Sequence, residues 1–555
     1  MANSALMTHE TSVNRLAPEL GVELTALGGI GRFGGNCLLI KDLESQSSIA
    51  VDCGARFLGP EGHGYRFGIP PVQHFAQLGS EFLGFAITHA HEDHIGALPY
   101  AVSQNQAPIW AGAFTSEIIR RKLKRQTDHQ TPIHTVKPNE RVSIGPFSLT
   151  WIKVNHSIPD AHSLAIETPA GTVIHSGDFR LELNPTLGAP TDFPTLSKMG
   201  DKGVLCLLSD STLAIAPGKN PGEHSVIEPT EKVFEASTGR LFVSTFSTHI
   251  QRIHTLANLC RKHGRRLSIL GRSMREKVQL AQQKGLFQIR DVWVPPETLL
   301  KQAPDEQCWL LTGSQGEVGS ALWRLAHDKS SLKNLDRHDT LLMSARVIPG
   351  NERAMASLLD KIADKGVLIF DGKEGRHVSG HGHQEDMTAL IQATKPQFFI
   401  PLHGGVQQLK AHRKMVEELG LKEDQIVEIR NGQSISISVE GDVHHLDKDT
   451  PTEPWVNNGE VNFAPRDTVA ARQRMSTGGV LLGMLSPGAD QIQLKAEALG
   501  TWNSEKLVRR LQVKMTDFLM EHYDLPKDVL QQKLFRLVND EFRLNKKQPP
   551  YFFIV

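Results

Sequence analysis

Three features of the sequence predict a mixed α/β fold built from several domains. Short apolar runs in the first 220 residues, and again beyond residue 366, lead into a His or an Asp. Between residues 221 and 366, apolar runs alternate with helical stretches in the βαβ rhythm of a parallel sheet. Beyond residue 466, two successive segments carry apolar side chains at helical spacing, and a final strand follows. A chain of 555 residues has room for three or four domains of roughly 150 residues each.

Residues 1–20 lack the basic start and apolar stretch of a signal peptide and read as a flexible extension. Strand-like runs at 23–27, 37–40 and 48–51 are broken by glycines, and a longer run at 147–154 ends at Asn155-His156. Runs at 173–175 and 204–208 lead to Asp178 and Asp210, and α/β proteins place reactive groups just past buried strands. In the middle section 247–260 reads as a helix, with buried strands at 267–270, 309–312 and 340–343. Strands return at 366–370 and 397–401, each followed by a His-rich turn. An amphipathic helix at 406–419 then carries Val406, Leu409, Val416 and Leu419 on one face and is closed by Gly420. Residues 442–465, with Pro451, Pro454 and Pro465, read as a linker. In the tail, Leu507, Leu511, Met515 and Phe518 share one helical face, Leu530, Leu534, Leu537 and Val538 recur at similar spacing, and 551–555 is a strand.

Composition excludes several classes. Hydrophobic residues make up 39% of the chain, mean hydropathy is -0.27, and no run approaches the roughly 18 apolar residues of a membrane span. Five cysteines (Cys37, Cys53, Cys206, Cys260, Cys308) are scattered and never spaced as CxxC, which argues against disulfides and against a Cys-ligated zinc. Cytoplasmic residence is the expectation. The 61 basic and 61 acidic residues balance, so overall charge carries no nucleic-acid signal. Locally, Arg261, Lys262, Arg265 and Arg266, with Arg272 and Arg275, form a candidate phosphate-contacting strip.

The segment Thr88-His89-Ala90-His91-Glu92-Asp93-His94 carries the chemistry. Imidazole and carboxylate ligands without thiolate suit a catalytic zinc or manganese. Four ligands this close cannot all reach one ion without distorting the backbone. Two ions sharing the segment is the easier solution, His89 and His91 on one, Asp93 and His94 on the other. Further candidates follow strands: His156 completes the first ion, His403 the second, and Asp178, with two oxygens, bridges them. A metal pair roughly 3.5–4 Å apart is the usual apparatus for hydrolysing phosphodiesters.

These residues, in this order, resemble the metallo-β-lactamase superfamily, and Asp52 in Val51-Asp52-Cys53-Gly54 matches that family's early aspartate, which supports the ligand loop. The stretch between Asp210 and His403 resembles the β-CASP nucleases. Leu208-Ser209-Asp210-Ser211-Thr212 is similar to their acidic motif, and His377-Val378-Ser379-Gly380-His381 to their second motif. Thr312-Gly313-Ser314-Gln315-Gly316-Glu317 and Ile348-Pro349-Gly350-Asn351-Glu352 resemble the bacterial ribonuclease J branch in particular. The resemblance implies a metallo-β-lactamase αββα sandwich at 21–220 and 367–441. A β-CASP α/β domain is inserted at 221–366, and a small C-terminal α/β oligomerisation domain lies at 466–555. Two departures stand out: the branch usually has acidic residues where Arg32 and Gly405 occur.

The function implied is a metal-dependent ribonuclease, a 5′→3′ exonuclease on 5′-monophosphorylated RNA with endonuclease action as a second mode, in RNA maturation and decay. Two divalent ions are implied, zinc first, with manganese or magnesium as alternatives. Asp93 holds the second ion and accepts a proton; His381 protonates the departing oxygen. The backbone of 377–381, with Ser379 and His381, offers a phosphate cradle, and Ser247 and His249 open a helix whose N-terminus is a second anion site. The alternatives are a β-CASP DNA nuclease, sharing the same motifs, and a non-catalytic scaffold, disfavoured by the intact ligand set. Single-stranded RNA is the expected partner, with a homodimer or homotetramer, an RNA-decay complex and no membrane.

Overall fold

The computed structural model describes residues 20–332, 334–348, 350–447, 453–456, 466–478, 480–488, 491–499, 505–522, 525–544 and 551–554. Residues 1–19, most of the expected N-terminal extension, lie outside the described residues, as does much of 442–465. The chain divides into two compact units, Met1–Phe57 with Gly68–Pro454, and Leu58–Phe67 with Trp455–Val555.

In the first unit, two sheets face each other. The larger has eight strands, running in space from Val443–Leu446 through Ser434–Ser438, Gly21–Gly28, Cys37–Asp42, Ser48–Val51, Phe82–Ala86 and Ile109–Gly112 to Ile133–Val136. The second has six, from Arg141–Ile144 through Phe147–Lys153, His162–Thr168, Gly171–His175 and Val204–Asp210 to Pro396–Leu402. Alternation along each strand builds the layers. Trp151, Leu164, Leu208 and Ile400 point between the sheets, where they meet Leu24, Ile40, Ile49 and Ile437. Their sequence neighbours Ile152, Ala165, Leu207 and Phe399 point outward to Leu390 and Ile391 of the helix Gln384–Thr394 and Val416 of Val406–Glu418. Phe75 of the helix Gln73–Leu78 packs tilted against Phe82 at 4.7 Å and edge-on against Phe85 at 5.1 Å, on the first sheet. This is the αββα sandwich.

A third sheet, all parallel, is inserted between Val204–Asp210 and Pro396–Leu402, with strand order Arg266–Leu270, Gln307–Leu311, Leu241–Ser244, Thr340–Met343, Leu368–Phe370. Two sequence boundaries move. Leu368–Phe370 pairs with Thr340–Met343, so the insert runs past residue 366. The helix expected at 247–260 spans Ile250–Lys262, leaving Ser247 and Thr248 in the loop before it. The central strand Leu241–Ser244, three apolar residues and a serine, was not singled out in the sequence. At the far end, 443–446, expected as linker, pairs with Ser434–Ser438 as an edge strand. All five cysteines are free and buried.

The cations of the basic run at 261–266 have partners within the fold. Arg261 pairs with Asp291, Lys262 and His263 pair with Glu231, and Arg265 is buried against the carbonyls of Ser237, Gly239 and Gln307. Local anions and carbonyls satisfy these cations, which a one-dimensional charge count cannot see. Arg272 and Arg275, by contrast, are exposed at the start of the helix Arg272–Gln283.

In the second unit, the helices Glu505–His522 and Lys527–Leu544 bury Leu507, Leu511, Met515, Leu534 and Val538 against each other, and Phe518 packs against that cluster. This face, which the sequence leaves free either to drive self-association or to pack within its own domain, is buried inside the unit. No described helix is long and apolar enough to cross a membrane.

Candidate active site

The ligand segment follows the strand Phe82–Ala86. His89 and His91 lie on extended backbone two residues apart, so both project to one side. His91 then caps the short helix Glu92–Ile95, and the helical turn swings Asp93 and His94 toward a second centre. His156 follows Phe147–Lys153, Asp178 follows Gly171–His175, and His403 follows Pro396–Leu402. Gly177 precedes Asp178 at φ 58, and a Cβ there would meet the His162 carbonyl at 2.6 Å, so glycine alone fits the turn. Asp52 and His403 hold φ of 59 and 51, left-handed conformations that non-glycine residues adopt mainly where surrounding contacts impose them.

Three candidate ligand groups result among the described residues: His89, His91, His156 and Asp178; Asp93, His94, Asp178 and His403; and Asp178, Asp210, His381 and His403, with ligand atoms in each within 4.8 Å of one another. Asp178 is shared: its Oδ2 lies 3.7 Å from His89 Nε2, 3.6 Å from His156 Nε2 and 3.2 Å from His94 Nε2. The first two groups gather the residues paired from sequence, and the third adds Asp210 and His381 beside Asp178 and His403.

The donor set fits divalent ions on its own geometry. His156 Nδ1 lies 2.8 Å from the Gly380 carbonyl, which only accepts, so Nδ1 carries the proton and Nε2 presents a lone pair. That lone pair faces His91 Nδ1 at 3.0 Å, and His91 Nδ1 also faces His89 Nε2 at 3.1 Å. No proton placement on neutral rings pairs all three nitrogens; a shared cation does. In the second group, His94 Nδ1 donates to Asp52 Oδ2 at 2.7 Å, leaving Nε2 for an ion. His403 Nδ1 is held by Thr212 Oγ1 at 2.7 Å and Asp210 Oδ1 at 3.2 Å, and its Nε2 turns to Asp93 Oδ2 at 3.3 Å. Asp52 is itself fixed by the Thr88 N–H and hydroxyl, both donating at 2.8 Å.

Protonation follows burial and neighbours. Burial pushes His89 and His156 well below the usual imidazole range and His91 down to about 4, so these rings are neutral. Burial acts the same way on His94 and His403, but the surrounding carboxylates together outweigh it, Asp178 with Asp93 and Asp52 at His94 and Asp178 with Asp210 and Asp93 at His403, and leave both well above that range. Asp178 feels burial upward and is carried well below the carboxylate range by His403 and His94. A divalent cation entering the second group displaces those protons.

The open side of the site is formed by Asp93, whose side chain is 33% exposed where Asp178 is 3%, and by His381 at 17%. His381 Nδ1 donates to Asp210 Oδ2 at 2.7 Å, and although burial works against it, Asp210 and Asp178 raise its proton affinity. Its Nε2 lies 3.9 Å from Asp178 Oδ2.

The 377–381 turn is pinned from behind. The Ser379 carbonyl accepts from Arg180 Nη1 at 2.9 Å and Asn220 Nδ2 at 3.0 Å, and the same Asn220 amide donates to the His381 carbonyl at 2.7 Å. Gly380 sits against the His156 ring, where a Cβ would meet it at 2.6 Å. Val378 is buried, and burial pushes His377 down to about 3. From the insert, Thr248 reaches His91 Nε2 at 3.2 Å and Ser247 Oγ accepts from Lys277 at 3.0 Å. His249 does not present itself to a ligand. It is fully buried, its Nδ1 accepts the Arg252 N–H as helix cap, and its Nε2 lies 3.4 Å from Glu223.

Sequence reasoning missed Thr248, Thr212, Asn36, Asn220, Arg180 and Lys277. Asn36 Nδ2 donates to the Asp93 carbonyl at 3.0 Å and lies 3.1 Å from His94 Nε2. Thr248 and Thr212 stood inside motifs already singled out. For the others no local pattern exists, because their partners are distant in the chain.

An αββα sandwich with a shared-carboxylate His/Asp site and a parallel α/β insert reaching into it defines a metallo-β-lactamase-type hydrolase of the β-CASP class. Family models agree: a beta-lactamase superfamily domain matches residues 49–188, a ribonuclease J beta-CASP domain 238–362, and a Zn-dependent metallo-hydrolase RNA specificity domain 373–427. Ribonuclease J of Synechocystis sp. is 34% identical over 83% of this chain and 72% of its own length. Ribonuclease J of Helicobacter pylori is 33% identical over 76% of this chain, which spans 61% of that relative, and that of Sinorhizobium meliloti is 34% identical over 74% and 73%. The chain belongs to the ribonuclease J family and is a metallo-hydrolase ribonuclease by class. A crystal structure of a protein of unknown function from Enterococcus faecalis shares the fold over 75% of this chain and all of its own, at 16% identity and a TM-score of 0.51.

Proposed function

We propose that this chain degrades and matures RNA as a 5′→3′ exonuclease favouring a 5′-monophosphate, with endonucleolytic cleavage as a second mode. The observation that carries the reading is the 379–381 turn, tied to the ligand His156 through the Gly380 carbonyl and to Asp210 through His381. A phosphate cradled by that turn sits at a fixed distance from the ligand groups, so a 5′ end held there is cut in register. Zinc is the proposed native ion, with manganese or magnesium as alternatives. When bound, a divalent pair supplies an activated water and positive charge for the phosphodiester oxygens.

The chain's own groups do the rest. Asp93, partly open to solvent, accepts the proton released by the nucleophile at its free carboxylate oxygen. His381, protonated at Nε2 and oriented by Asp210, gives its proton to the departing oxygen. Ser379 and the backbone of the turn hold the 5′ phosphate, and the insert adds Ser247, whose hydroxyl accepts from Lys277. Replacing Ser379 and His381 together by Ala is expected to remove the preference for monophosphorylated over triphosphorylated RNA, measured as the ratio of kcat/KM for the two. An unchanged ratio rejects the pocket. Self-association as a homodimer or homotetramer is proposed from the resemblance alone, and light scattering of the full chain reads it.

A further inference from the structure

Arg32 stands where an acidic residue was expected, and the structure gives it a companion. Arg56 Nε and Nη2 donate to the two oxygens of Glu453 at 3.0 and 2.8 Å, and Arg32 Nη1 donates to Oε2 at 2.7 Å. Among the described residues, two guanidinium groups thus close on one carboxylate. Burial and the neighbouring Arg56 both work against the charge on Arg32.

The cluster lies at the rim of the second ligand group. Arg32 bridges to Gly404, the residue after His403. Gly54 and Ala55, just before Arg56, hydrogen-bond the Asn36 and Glu92 carbonyls, and Asn36 holds Asp93. Gly34 and Gly35 press against Arg56, which keeps the two arginine loops side by side. Glu453 comes from 397 residues further along the chain than Arg56.

A carboxylate seated in a guanidinium fork has the geometry of a phosphodiester there: two oxygens, one negative charge. The guanidinium side is also partly wet, with Arg32 36% and Arg56 19% exposed beside a Glu453 that is 9% exposed, so water and a second anion can reach the cations. Exchange of one anion for another is therefore cheap. Resting on the ribonuclease reading above, we infer that Arg32 and Arg56 form a subsite for a phosphate of single-stranded RNA, and that Glu453 occupies it until RNA binds. Phe33, 37% exposed and packed beside Gly405, offers a ring for an adjacent base.

The test is binding of a fluorescent single-stranded oligoribonucleotide to the full chain, with divalent ions chelated so that nothing is cut. Glu453→Gln should bind about fivefold tighter, the size of one partly exposed ion pair relieved. Its dependence on salt should steepen by about one phosphate contact. The gain should vanish in the Arg32→Gln/Glu453→Gln double variant. Arg32→Gln alone, a check independent of whether Glu453→Gln folds, should bind about fivefold more weakly than wild type. Unchanged or weaker binding by Glu453→Gln, a gain that survives without Arg32, or full affinity in Arg32→Gln overturns the subsite. No affinity of the wild type for RNA overturns the ribonuclease reading itself, which keeps the two failures apart.

Discussion

Asp178→Asn should lower RNA cleavage by about 10³-fold or more while leaving the protein folded and soluble. The carboxylate is the one group common to all three candidate ligand sets, and its Oδ2 lies 3.2–3.7 Å from three of the candidate imidazoles. An amide of the same shape keeps the packing but loses the charge that holds two cations side by side. It also loses the charge that raises the proton affinity of His94 and His403. The first ligand group keeps three histidines, so partial binding of one ion is expected. The measurement is single-turnover cleavage together with metal content by mass spectrometry. Cleavage within tenfold of wild type, or two ions still bound, contradicts a shared-carboxylate site.

The largest effect on stability is expected at Glu223. It is fully buried between Arg252, at 2.5 and 3.1 Å, and Arg180, at 4.0 Å, and its N–H donates to Glu182 Oε1 at 2.7 Å. Arg252 belongs to the insert helix Ile250–Lys262, and Arg180 to the loop after Asp178. Removing one member of a buried ion network strands the rest without water, which costs about 3–5 kcal/mol. Glu223→Ala should therefore lower unfolding stability by that amount in urea titration of the full chain. Because Arg180 also holds the Ser379 carbonyl, the variant should lose 5′-monophosphate preference before it loses cleavage. A loss below about 1 kcal/mol, the scale of a surface pair, would mean that the network is not what joins insert to sandwich.

The site was more legible in the sequence than its support. Ligands announce themselves because they cluster in six positions, His89 to His94, or follow short apolar strands, as His156, Asp178 and His403 do. The groups that aim them are remote. Thr248 meets His91 across 157 residues, Asp210 meets His381 across 171, and Asn220 meets Ser379 across 159. Nothing in one dimension marks such pairs. Charge is equally incomplete in one dimension: Arg261 to Arg266 look like a run of free cations as a list of residues, and in space Asp291 and Glu231 pair with Arg261 and Lys262. His249 fails for a third reason, since a helix start can spend its side chain on its own cap. The apolar tail faces were real, but pairing of the two helices covers them.

The account stands most directly on one experiment: cleavage of a single RNA labelled at its 5′ end, carrying either a monophosphate or a triphosphate, with Mn²⁺ and with Zn²⁺, beside a DNA strand of the same sequence. The account predicts release of labelled mononucleotide, mainly from monophosphorylated RNA, in the presence of either ion. Cleavage of the DNA strand with the RNA left intact would contradict it, leaving the metal site but not the ribonuclease.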